Sequence, residues 1–260
     1  MNILKYELKS QAVSTVIWTM AIGLVFWGLM VGVYPLFQDS VADTEKIFES
    51  FPPQFAAVFG LEIKTIFSFS GYYGFCFGYL GLMGAIMAAA LGISVFARER
   101  RSRCSDFLLT RPLSRTGIFM WKLSACLILL AAVNIVYTIL AVTAGEQNDT
   151  DMMLAGSSML FTQLVFFALG TFYGGYAKRI RSAAGAATAI GFGAFIVSAL
   201  TGLLDEEWMR FISPLKYFDP ADALNSGSYE FKYAVTGAAV ILICMGAAYR
   251  RFVKSDMKAI

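Results

Sequence analysis

From Arg98 the chain reads Arg-Glu-Arg-Arg-Ser-Arg-Cys-Ser-Asp-Phe-Leu-Leu-Thr-Arg, and Pro112 closes the run. On a helix, Cys104, Phe107 and Leu108 share one face, being three and four residues apart, while Arg100, Arg101 and Arg103 spread over the rest. Such a helix is built to dock a partner. Glu99, Arg100, Arg101 and Asp106 offer charge-specific contacts, Phe107 and Leu108 offer apolar ones, and Pro112 ends the helix because it cannot continue one. The alternative is a basic flank that only orients a membrane protein. Seven cations between Arg98 and Lys122, beside the Phe107-Leu108-Leu109 triplet, exceed what orientation requires. Reaction chemistry is poorly supplied. The chain has no His, so imidazole catalysis and His-ligated metal sites are absent. No metal-ligand spacing occurs, and neither Cys104 nor Cys76, Cys126 and Cys244 has a sensible disulfide partner. We therefore expect no catalytic residue and no metal.

The elements that must position this helix are apolar. Stretches free of Asp, Glu, Lys and Arg run between Lys9 and Asp39, Lys64 and Arg98, Lys122 and Glu146, Asp151 and Lys178, Arg181 and Asp205, and Lys232 and Arg250. A bilayer core of roughly 30 Å needs about 20 mainly apolar helical residues to cross it. The trimmed stretches predict spans near 14–36, 72–96, 119–143, 153–176, 183–204 and 233–249. A composition that is 58% hydrophobic and 15% charged agrees with a membrane protein. The first span is too long for a signal-peptide core and is expected to be retained.

Six spans place both termini on one side. That side carries 16 basic residues against four acidic ones; the other carries five against 14. Because basic loops stay in the cytoplasm, both termini are predicted to be cytoplasmic. The basic residues thus serve topology, and no nucleic acid is expected as a partner.

The loops carry their own patterns. Asn2 to Ala12 suits a short interfacial helix, with Leu4 and Leu8 toward lipid and Lys5 and Lys9 at anionic headgroups, or else a plain basic flank. The loop at 38–71 is acidic and rich in Phe; Pro52-Pro53 can start a helix that puts Phe55 and Phe59 on one face. Two short amphipathic helices are expected there, lying on the membrane or touching a substrate. In the last outside loop, 205–232, Trp208, Phe211, Ile212 and Leu215 repeat with the period of one apolar helix face, and Pro214 and Pro220 break the chain beyond it. The second span bears Gly71, Gly74, Gly78, Gly81 and Gly84, a stripe that lets another backbone approach. It reads as helix packing within one subunit or as a seam between subunits. Gly185, Gly191 and Gly193 make a looser version in the fifth span.

At 98–122 the chain resembles the membrane subunits of ABC-2-type transporters, above all bacterial permeases of the nitrous-oxide-reductase maturation and bacitracin-resistance kind. Glu99, Ser102, Asp106, Leu108-Leu109, Pro112-Leu113-Ser114-Arg115 and Lys122 carry the resemblance. Ser102 stands where Gly is usual, and Asp106 where Glu is usual. Phe51-Pro52-Pro53 with Phe59-Gly60, and Ser213 through Pro220, are similar to further family features. The resemblance implies one ABC-2-type transmembrane domain over 1–260. Its fold is an all-α membrane protein of six transmembrane helices with both termini cytoplasmic. Short amphipathic helices occupy the N-terminus and the first and last outside loops, and a cytoplasmic coupling helix joins spans 2 and 3. It also implies an exporter subunit of the bacterial inner (plasma) membrane, powered by a separate ATP-binding-cassette ATPase that holds ATP and Mg, and paired with a second permease copy or paralogue.

The chain itself has no Gly-x-x-x-x-Gly-Lys-Ser/Thr phosphate loop. With no charge expected inside a span beyond Lys122 at the edge of the third, a buried ion pair or proton relay is not expected either. An ATP-independent carrier would want such groups, or broken helices in inverted halves. A membrane enzyme would want acid–base residues. A scaffold or sensor that binds an ATPase stays open, and the substrate is unread. Aromatic and Met-rich spans suit an apolar or amphipathic cargo and lipid-facing packing equally.

Overall fold

The computed structural model describes residues 3–39, 41, 65–102, 114–145, 147–177, 179–204 and 207–254, with backbone alone at 99–102 and 207. The elements are α1 (Ile3–Trp27), a π-helical stretch (Gly28–Val33), α2 (Tyr34–Asp39), α3 (Phe69–Ser102), α4 (Arg115–Ala144), α5 (Asp149–Tyr176), α6 (Ala183–Leu204), α7 (Glu207–Arg210), a 3₁₀ turn (Pro214–Lys216), α8 (Pro220–Ser226) and α9 (Phe231–Lys254). Among the described residues there is no strand. Six segments are long and apolar enough to cross a membrane: Ile3–Asp39, Phe69–Arg98, Arg115–Ala144, Asp149–Tyr176, Ala183–Leu204 and Phe231–Lys254. They coincide with the six predicted spans. Helices are the natural solution, since no water in a bilayer core can satisfy an open backbone.

α3 and α5 form the centre of the bundle and are mostly buried, whereas α1, α6 and α9 keep most of their residues at the periphery. Glycine lets the central pair meet backbone to backbone. A Cβ at Gly92 would sit 2.7 Å from Phe167 O and 2.8 Å from Thr171 N, and one at Gly170 would collide with the backbone of Ala89. Around this seam, Phe26 of α1 packs edge-on against Tyr73 and Tyr137, ring centroids 6.0 and 5.2 Å away. The two tyrosine hydroxyls share a 3.2 Å hydrogen bond. Asn134 of α4 donates to Gln163 Oε1 of α5 at 2.6 Å, a buried amide bridge. The outer faces show Val13, Ile17, Met20 and Leu24 of α1, Phe192 and Ile196 of α6, and Leu242 and Ile243 of α9. In a bilayer these groups meet lipid.

Three expectations are corrected. Residues 3–12 are the opening turns of α1, continuous with the first span, so among the described residues no separate N-terminal helix precedes it. The reason lies in Glu7, which faces into the bundle and locks this stretch to other helices. The face expected from Trp208 to Leu215 is not one helix: α7 ends at Arg210, and Tyr217 Oη donates to Phe211 O to hold a turn. Pro220 starts a helix instead of only breaking one. Asp219 accepts from Ala221 N at 2.9 Å, Pro220 takes the first turn where no N–H is needed, and Gly227 closes α8 with φ +68°. Pro35 acts without any pattern around it that marks a distortion in the sequence. Its missing N–H and its ring disturb the helix just upstream, which rewinds so that Tyr34 N–H reaches Leu29 O, five residues back.

Candidate functional site

The basic end of the bundle gathers the beginnings of α1 and α4 and the ends of α3 and α9. α3 continues through Arg98 to Ser102, so Glu99, Arg100, Arg101 and Ser102 extend the second span as helical backbone. Asp106, Phe107, Leu108 and Pro112 lie outside the described residues. The exit from that segment is firmly built. Ser114 Oγ accepts from Gly117 N at 3.1 Å and caps α4. Arg115 Nη1 then donates to Val253 O at 3.0 Å, satisfying a carbonyl in the last turn of α9. Thr116 and Tyr249 hydroxyls add a 3.1 Å hydrogen bond between the same helices.

Between entry and exit sits a buried carboxylate. Glu7 Oε1 accepts from Lys122 Nζ at 2.8 Å, and Glu7 Oε2 lies 3.0 Å from Arg98 Nη1. Lys122 also donates to Val95 O at 3.0 Å, and its side chain is 1% exposed; that of Glu7 is 3% exposed. The expectation that no ion pair is buried among the helices is thereby overturned. Glu7 and Lys122 each stand near the start of their helices and Arg98 near the end of α3, so that in sequence all three read as residues flanking a span; only the packing of the helices brings them face to face. Charges withdrawn this far from water persist because they are paired; Lys122 is also hydrogen-bonded to Glu7 and Val95 O, whereas the Arg98 contact to Oε2 is an ion pair without hydrogen-bond geometry.

The opposite end is acidic and held by one arginine. Arg210 donates to Glu230 at 2.7 Å, to Asp222 at 2.5 Å and to Lys216 O at 3.0 Å, and its guanidinium lies 4.2 Å from the centroid of the Tyr233 ring. Tyr229 donates to Leu154 O at 2.5 Å, tying the start of α9 to α5. Trp208, Phe211 and Ile212 stay exposed there, while Leu4 and Leu8 on α1 are half-buried. Between α3, α6 and α8 the described residues leave a cleft of ≈ 200 Å³, lined by Gly74, Phe75, Gly78, Tyr79, Phe195 and Asp219 among others. Burial, then the nearby charge of Asp222, raises the pKa of the Asp219 carboxyl above its ordinary value; the Ala221 N–H, Arg210 and Lys216 oppose this without cancelling it. Among the described residues, no group of His, Cys, Asp and Glu is arranged to hold a metal, and Cys76, Cys126 and Cys244 are free thiols.

The family model described as ABC-2 family transporter protein matches residues 1–257. The chain belongs to the ABC-2 transporter family. No curated protein gives a significant match. This ABC-2 protein is a permease-type, multi-pass integral membrane protein, a transport component by family.

Within this ABC-2 chain the glycines from Gly74 to Gly84 in the second span have different surroundings. A Cβ on Gly74 would press on Ala221 of α8, and one on Gly84 on Met159 of α5; Gly81 has only Phe77 nearby, and Gly78 faces nothing within 4 Å. Gly92 and Gly170, where the two central helices meet backbone to backbone, are not singled out by the sequence. Nor is Glu7, whose only sequence signal is an acid in an otherwise basic flank.

Proposed function

We propose that the chain is the membrane-spanning permease subunit of an ATP-binding-cassette exporter. It would form the translocation pathway with a second permease copy or paralogue and take its energy from a separate ATPase subunit. The observation that carries this reading is the ABC-2 family match over 1–257, in a chain that has no phosphate-binding loop of its own. ABC-2 permeases generally work with ATPase partners. ATP and Mg belong in that partner, and this chain binds no cofactor.

The segment 98–112 is the docking site in this reading. Glu99, Arg100, Arg101, Ser102 and Asp106 make the polar contacts, Phe107 and Leu108 the buried ones, and Pro112 ends the helix. Closure of an ATPase dimer on ATP pushes this segment, tilts the helices and opens the path between subunits to the far side. The basic end faces the cytoplasm of a bacterial cell, with both termini. Leu4, Leu8, Trp208, Phe211 and Ile212 meet the membrane interface, and Gly74, Gly78, Gly81 and Gly84 serve helix packing.

Affinity purification from the native membrane in mild detergent tests the assignment. The expected result is a stoichiometric nucleotide-binding subunit with ATPase activity, lost when Asp106→Arg is combined with Phe107→Ala. Recovery of the chain alone, or retention of coupled ATP hydrolysis by the double variant, would count against it.

A further inference from the structure

We infer that Glu7 is the post through which movement of the 98–112 segment reaches the first span, an inference that rests on the permease reading. One carboxylate serves both arms of that segment. Its Oε2 lies 3.0 Å from Arg98, at the end of α3 where the segment begins, and its Oε1 lies 2.8 Å from Lys122, on α4 where the segment has returned. The third contact, Lys122 to Val95 O at 3.0 Å, joins the two arms directly. A shift of either arm therefore drags a group bound to the same side chain.

That side chain belongs to one of the three peripheral helices, most of whose residues face outward. The buried residues of α1 are Glu7, Thr15, Ile22 and Phe26, a single face. At its far end α1 is held by Phe26 wedged between Tyr73 and Tyr137. At its near end Glu7 is the buried charged contact. Val13, Val16, Ile17 and Met20 between them point away from the bundle. Glu7 and Phe26 stand 19 residues apart, roughly 28 Å along a helix rising 1.5 Å per residue. The arrangement is a rod with an ionic grip at the driven end and an aromatic pivot toward the other. An apolar contact at position 7 would slide. A carboxylate shared between two cations, with little water to replace them, loses a partner if α3 and α4 move without it.

The test uses the permease with its co-purified ATPase in lipid nanodiscs, with the native cysteines replaced. Nitroxide probes are placed at Leu36→Cys, exposed on α2, and separately at Thr143→Cys, exposed at the far end of α4. Spectra are compared before and after trapping with ATP and vanadate. In the otherwise unsubstituted complex both probes are expected to respond. With Glu7→Gln, which keeps the shape and removes the charge, the response at position 143 should persist while that at position 36 falls at least threefold. Should Glu7→Gln fail to fold because the Lys122 charge has lost its carboxylate, Glu7→Gln with Lys122→Gln keeps an amide hydrogen bond without the buried charges of positions 7 and 122 and should give the same split. A full response at position 36 in either variant overturns the role of Glu7 and leaves the permease reading intact. Silence at both positions in the unsubstituted complex sinks both. A merely structural role would lower thermal stability without separating the two probes.

Discussion

Asp219 shows how one side chain can hold a fold in one protonation state and strain it in another. Its carboxylate caps α8 by accepting from Ala221 N at 2.9 Å, a role that Asn fills equally well. Burial and the charge of Asp222 nonetheless raise its pKa, so the folded state binds this proton more tightly than the unfolded chain does. The contribution is therefore fully present below the unfolded carboxylate pKa and is lost as pH rises through the higher, folded value. Asp219→Asn keeps the cap and has no charge to acquire. The melting temperature of this variant in detergent should gain on that of the parent as pH is raised from about 4 toward 8, the lower limit lying near the ordinary Asp value. A gap that stays flat or shrinks over that range would show that Arg210 and Lys216 control Asp219 instead. Asp219→Ala, which removes the cap itself, should cost about 1 kcal/mol at neutral pH.

At the scale of elements, the α3–α5 seam turns on which glycine faces which backbone. Gly92 and Gly170 leave no space for a methyl group, because the atoms in the way are main-chain atoms that cannot rotate aside. Gly92→Ala and Gly170→Ala should each destabilise the folded protein by about 1–3 kcal/mol, the usual cost of overpacking. Gly78→Ala faces open space and should be neutral or gain up to about 1 kcal/mol from better helix propensity. Unfolding of the three variants in mixed micelles separates the cases, and equal losses at all three would refute the seam. The same contrast explains what can be read from the sequence. Spans are legible because charge-free runs and bilayer thickness act on each segment alone. The glycine stripe from Gly74 to Gly84 is visible by its spacing, yet spacing within one helix does not say which turn touches a partner. α8 has a local signal, Asp219-Pro220 with Gly227 beyond it, that in sequence reads only as a break. The Glu7–Lys122 pair has none, since its members stand 115 residues apart and each resembles a basic-flank residue until the helices pack.

For the whole molecule, the placement of charge and the packing of the chain ends bear on one question. Glu7 meets Lys122 near the start of the chain, and Arg115 meets Val253 near its end, so both ends lie at the same pole of the bundle. That pole is the one to which the order of the spans assigns 16 of the 21 basic residues, whereas Asp219, Asp222 and Glu230 lie at the other. If insertion follows the basic side inward, a cysteine at Ser228, exposed just past α8, should react with a membrane-impermeant maleimide in intact cells. One at Arg181, exposed in the turn between α5 and α6, should react only after the membrane is opened, both in a background lacking Cys104. The reverse pattern would do more than invert a topology. It would turn the 98–112 segment away from the cytoplasm, where ATP is available, and leave the ionic grip of Glu7 with no motor to grip against. The cytoplasmic orientation of this pole and the proposed coupling to an ATPase therefore stand or fall together, and the labelling experiment reaches that answer before any cargo is known.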